Sequence, residues 1–133
     1  METGAGWEPP PEPPKALQDA GDWSPVPLPH ARTRSLAEGT ASLRAPPEVA
    51  WYRLTVPPGL PEQELFLYLP RWQTIGRITV YADGRLVYHS RGGPVWNGFN
   101  LPLWLPLNFT QDEPPPRQIL MRLVSPAAAG AGL

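Results

Sequence analysis

Apolar and polar positions alternate along this chain in short runs, and nearly every run stops at proline, glycine or a charged turn. Residues 50–56, AWYRLTV, alternate and are rich in aromatic and β-branched side chains before they meet Pro57-Pro58-Gly59. Residues 64–70, ELFLYLP, put Leu65, Leu67 and Leu69 on one face and Phe66 and Tyr68 on the other. Apolar side chains on both faces predict a strand covered on both sides, hence a central one. RITVYA (77–82) and RLVYHS (85–90) flank Asp83-Gly84, the dipeptide of a two-residue hairpin. The register expected without a slip pairs Ala82 with Arg85, Tyr81 with Leu86 and Val80 with Val87. Residues 101–108, LPLWLPLN, carry leucines at 101, 103, 105 and 107, with Pro102 and Pro106 on the opposite set, which predicts an edge strand. RQILMRLVS (117–125) is the last strand, with Ile119, Met121 and Leu123 turned inward.

The remaining stretches set the organisation. Residues 1–22, which include WEPPPEPPK, read as an unstructured proline-rich segment of polyproline II character. WSPVPLPH (23–30) reads as an edge strand or an extended arm packed on the domain, and RTRSLAEG (32–39) has room for one or two helical turns before Gly39. Residues 91–100 form a long connection that is expected to cross between sheets, QDEPPP (111–116) is a solvated turn, and 126–133 looks like a linker. Six or seven short antiparallel strands over residues 23–125 predict an all-β domain, an antiparallel β-sandwich with jelly-roll or Greek-key wiring.

Composition sharpens this picture at a few points. The chain has 133 residues, enough for one domain, and its 21 prolines argue against long helices. A net charge of −1 with dispersed basic residues gives no footprint for nucleic acid and no polybasic membrane patch. Cysteine is absent, which removes disulfides and thiolate metal sites. No run is long and apolar enough to span a bilayer, and the first residues lack the pattern of a signal peptide. The chain reads either as cytosolic or as an exported segment without its signal.

Candidate chemistry is sparse. His30 and His89 are far apart in sequence and lack a third partner at ligand spacing, so no metal site is expected. Glu62/Glu64 and Asp112/Glu113 flank turns, where carboxylates are ordinarily solvated, and no nucleophile elbow or phosphate-binding loop is present. The expectation is a non-catalytic domain without cofactor. The six tryptophans offer more. Trp51 and Tyr52 lie mid-strand and read as core, whereas Trp72 and Trp96 fall in loops, where a flat ring either stacks on a ligand or lids the core. With Arg71 and Arg91 as planar donors and Asn97 beside Trp96, these residues form the candidate ligand-binding set.

The ordered series Trp23–His30 (WSPVPLPH), Trp51–Arg53 (WYR), Leu67–Arg71 (LYLPR), Val80–Gly84 (VYADG) and Asn100–Pro102 (NLP), closed by the strand with Ile119, Met121 and Leu123, is similar to a known family. It resembles the galactose-binding-like jelly rolls that serve as periplasmic sensing domains of membrane-bound bacterial histidine kinases and diguanylate cyclases. It also resembles the sugar-binding jelly roll of β-galactosidase-like hydrolases. Asp83 stands where the pattern usually has asparagine, and Ala31-Arg32 follows Pro29-His30 where the hydrolase version commonly has an acidic or aromatic pair. The resemblance implies a periplasmic domain that senses a small molecule, carbohydrates included, or a periplasmic protein. It also implies a membrane segment elsewhere in the receptor. An accessory carbohydrate-binding module and a dimerising structural sandwich are the alternatives.

Overall fold

The computed structural model describes residues 6–19, 22–32, 46–60, 64–70, 72–74, 76–90, 102–107, 112–127 and 131–133. Among these residues the elements are one helical turn, α1 (Lys15–Gln18), and nine strands. The strands are β1 (Ala31–Arg32), β2 (Glu48–Thr55), β3 (Phe66–Leu69), β4 (Gln73–Thr74), β5 (Arg77–Ala82), β6 (Arg85–His89), β7 (Leu103–Pro106), β8 (Gln118–Ser125) and β9 (Ala131–Gly132). The domain is all-β and every pairing is antiparallel.

Four of the six pairings are nested. β5 and β6 form the innermost hairpin, β3 pairs β7, β2 pairs β8 and β1 pairs β9. Three sheets result, ordered β2-β8-β5-β6, β3-β7 and β1-β9-β4. The chain therefore leaves β6 in the four-stranded sheet and re-enters at β7 in the two-stranded one, so the 91–100 connection does link different sheets. Period-two alternation builds the core. Tyr52, Ile78, Val80, Ala82, Ile119, Met121 and Leu123 come from the four-stranded sheet and meet Leu67, Leu103, Leu105 and Leu107 from the other side.

Four expectations change. First, the hairpin register slips between Val80 and Tyr81: Ala82 faces Arg85 and Tyr81 faces Leu86, but Val80 faces Tyr88 and Thr79 faces His89. Val87 is the extra residue of a β-bulge. The slip sends Tyr88 to the core side and His89 to the outer side, where its Nδ1 lies 2.9 Å from the Thr79 hydroxyl. An unslipped register would set the imidazole opposite Ile78, on the apolar side. Second, among the described residues β3 pairs only with β7, and its Phe66 and Tyr68 rings are exposed rather than covered. The central strand is β8, buried on both faces between β2 and β5.

Third, residues 6–19 of the proline-rich segment are not loose. Gly6, Glu8 and Pro10 lie on the outer face of the four-stranded sheet, bonded to Arg122, Arg77 and Tyr81. Leu120 and Val124, which point outward from β8, are fully buried. Proline has no N–H to offer, so the carbonyls of this segment are open to donors from the sheet. Fourth, the expected linker includes β9, which bonds to β1 and β4, while the His30 and Leu133 backbones exchange N–H···O bonds of 2.8 and 2.9 Å. WSPVPLPH forms an extended arm with no strand within 23–30, and the Arg53 guanidinium sits 4.8 Å from the Trp23 ring. The helical turns expected in RTRSLAEG lie outside the described residues.

Candidate functional site

Of the residues singled out from the sequence, Trp72 is placed and Arg71, Arg91, Trp96 and Asn97 lie outside the described residues. Trp72 is 2 % exposed and belongs to the core cluster, so its ring lids the core and presents no face to a ligand. Trp51 is only half-buried. Its register partner is Arg122, and its ring lies 5.8 Å from that of Tyr81 on the outer face of the sheet. Tyr52 is core, and its hydroxyl is 3.0 Å from His30 Nδ1.

The exposed aromatics gather elsewhere. In β3 the leucines turn inward, which obliges Phe66 and Tyr68 to turn outward. In β7 Leu103 and Leu105 are buried, so Trp104 and Pro106 face out. The register sets Phe66 opposite Pro106 and Tyr68 opposite Trp104. Trp104 therefore touches both neighbours, 5.4 Å from Phe66 and 5.0 Å from Tyr68, with the planes tilted by 45° and 57°. Phe66, Tyr68 and Trp104 are 42 %, 51 % and 59 % exposed. At 150–250 Å² per aromatic side chain, they leave roughly 300 Å² of ring surface in water. A contiguous patch of that size on a monomer is often a binding surface. The sequence contained its signal: the proline positions of LPLWLPLN mark the solvent side, and Trp104 falls on the same set.

Electrostatically, this face is quiet. Its outward positions Phe66, Tyr68, Trp104 and Pro106 carry no charge and one hydroxyl. The charged groups with shifted titration lie on the opposite side of the domain. Burial lowers the Arg122 pKa, opposed by Tyr81 and Glu8, and burial raises that of Tyr81, opposed by Arg122. The Arg77 hydrogen bond holds Glu8 below its ordinary value. His89 is lowered by burial first, then by Arg77 and Arg122, against an upward pull from Glu8. Among the described residues there is no group of three His, Cys, Asp or Glu side chains able to hold a metal ion. Among them no helix is long and apolar enough to cross a membrane.

No protein-family model, curated protein or solved structure matches the chain.

Proposed function

We propose that this chain is a non-catalytic recognition domain of the jelly-roll, galactose-binding-like type. In this reading it is the periplasmic sensing part of a bacterial signalling receptor and docks a protein partner on the aromatic face of β3 and β7. Nested antiparallel pairing supports the jelly-roll reading, because a jelly roll is a long hairpin wrapped on itself. The observation that carries the function is the trio of touching, exposed rings at Phe66, Tyr68 and Trp104. Aromatic side chains with little rotamer entropy and large area are the usual anchors of protein interfaces. A sugar site combines such rings with several fixed polar groups, and the outward positions here offer only the Tyr68 hydroxyl. That balance favours a partner with an apolar, uncharged surface over a free carbohydrate.

The test is site-specific photocrosslinking in the cells that make the protein, with a benzophenone amino acid at position 68 or 104 and, as control, at exposed Pro58. The expected result is one discrete protein adduct from 68 and 104 and none from 58. The proposal falls if neither aromatic position gives an adduct. It falls equally if glycan-array binding appears and is abolished by Trp104→Ala, which would assign the face to a sugar.

A further inference from the structure

The outer face of the four-stranded sheet holds the N-terminal proline-rich segment. One row across it runs Trp51, Arg122, Thr79, His89, and the adjoining rows bring Arg77 and Tyr81 beside it. Three of these side chains reach the N-terminal segment. The Tyr81 hydroxyl donates to the Pro10 carbonyl at 2.7 Å, Arg122 Nη2 donates to the Gly6 carbonyl, and Arg77 pairs with Glu8. Pro9 and Pro10 are half-buried and Pro13 is buried. Gly6 has φ of 91°, and a Cβ there would lie 2.9 Å from Pro47, so the segment enters through a point that only glycine fits. Aromatic rings flanked by donors to polyproline II carbonyls make up the usual recognition mode for proline-rich ligands, whose preformed helix loses little entropy on docking.

The segment leaves this site incompletely satisfied. Arg122 is 5 % exposed, yet its Nη1 has no hydrogen-bond partner among the described residues. A buried guanidinium nitrogen left without an acceptor is costly, and a ligand that supplied one would relieve that cost. The chain's own segment does not, and a second copy's identical segment would make the same contacts and leave the same gap.

We propose that this face binds a proline-rich, glutamate-bearing peptide from another polypeptide, and that Gly6–Pro13 is the cis ligand it displaces. The segment is held at a high effective concentration, on the order of mM for a short tether, so a trans peptide competes poorly until the tether is cut or the segment is drawn off.

The experiment uses the full chain with a protease site placed at Ala20-Gly21, and reads fluorescence anisotropy of labelled GWEPPPEPPK before and after cleavage. Binding is expected after cleavage, with apparent affinity at least tenfold weaker in the uncut chain. The peptide EGWEPPPEPPK, which adds a carboxylate next to the glycine whose carbonyl Arg122 Nη2 holds, should bind more tightly than its parent. Tyr81→Phe should weaken both peptides alike, since it removes only the donor to the proline carbonyl. Three results would overturn the proposal. One is no exchange in cleaved protein whose circular dichroism and melting temperature match the uncut chain. Another is equal competition by a scrambled peptide. The third is sedimentation showing that exchange occurs only between two copies of the chain.

Discussion

Asp83 does two jobs in the β5–β6 hairpin, and substitutions there separate them. Its φ is 45° and that of Gly84 is 83°, the paired positive values of a type I′ turn. Its carboxylate also leaves the hairpin to accept the Arg117 N–H at 3.0 and 3.1 Å and the Gln118 N–H at 2.9 Å, while its own N–H donates to the Gln118 carbonyl. The turn is thereby tied to the start of β8, the central strand. Both amides are exposed, so water replaces a lost acceptor, and each bond is worth about 1 kcal/mol. Left-handed backbone in alanine costs about 1 kcal/mol more. Asp83→Ala should therefore destabilise by about 3 kcal/mol, or roughly 10–20 °C in melting temperature for a domain of this size. Asp83→Asn keeps the turn and one acceptor oxygen and should cost about 1 kcal/mol, with Asp83→Gly falling between the two. Urea denaturation followed by tryptophan fluorescence gives all three values. Equal losses for asparagine and alanine would refute the division into turn and tie, and a loss below 0.5 kcal/mol for alanine would remove both (errors of that size are expected of any surface substitution).

Trp72→Ala should cost about 3–5 kcal/mol of stability because it empties a filled core site, whereas Trp104→Ala should stay within about 0.5 kcal/mol in the same urea titration. Gly76→Ala should unfold the domain or cost more than about 3 kcal/mol, read as lost soluble yield or urea midpoint. The reason is that its φ is 153° and a Cβ would lie 1.9 Å from the Val124 carbonyl oxygen. His89 has a folded pKa below 6.5, so the unfolded chain binds its proton first. Its contribution is present above pH 6.5 and is lost as pH falls from 6.5 toward the folded value, and melting temperatures between pH 8 and 5 should show a fall that His89→Gln removes. Glu8, lowered from 4.5, acts in a separate window: its contribution holds above pH 4.5 and fades as pH falls through the folded value, so Glu8→Gln should flatten the curve only there.

The parts of the fold legible in the sequence are those fixed by alternation against a single partner surface. Ile119, Met121, Leu123, Leu103 and Leu105 are inward as the period-two pattern demands, and Asp83-Gly84 turns where the dipeptide requires. The bulge at Val87 was not legible, because both registers give alternating apolar pairs. The choice between them depends on where Tyr88 and His89 find partners across the sheet, a tertiary matter. The two-sided apolarity of ELFLYLP was legible but ambiguous: exposed rings and covered rings write the same pattern, and β3 turned out to expose them. For the same reason a loop position leaves Trp72 open to stacking on a ligand or lidding the core, and it lids the core, while Trp104, hidden inside a strand pattern, carries the exposed face. Nothing in METGAGWEPPPEPP announces the sheet that holds it, since the Arg77, Tyr81 and Arg122 donors come from 69 to 116 residues away.

Both outer faces of this sandwich arise from one constraint. Filling the core with every second residue sends the intervening ones outward, and here those include Trp51, Tyr81 and Arg122 on one sheet and Phe66, Tyr68 and Trp104 on the other. The first face has an intramolecular cover. Gly6, Glu8 and Pro10 of that cover engage Arg122, Arg77 and Tyr81 on the adjacent strands β8 and β5. That cover is bonded by Arg122 and Tyr81 to the Gly6 and Pro10 carbonyls and by Arg77 to Glu8, a set that a peptide with the same order of proline and glutamate reproduces, which is why exchange is the natural way for this face to recognise a partner. The β3–β7 face keeps its rings in water, with prolines at 102 and 106 on the same side and no charge among its outward strand positions. Recognition there needs no displacement, only a complementary apolar surface, so the two faces should respond to different partners and should be separable by Tyr81→Phe on one side and Trp104→Ala on the other.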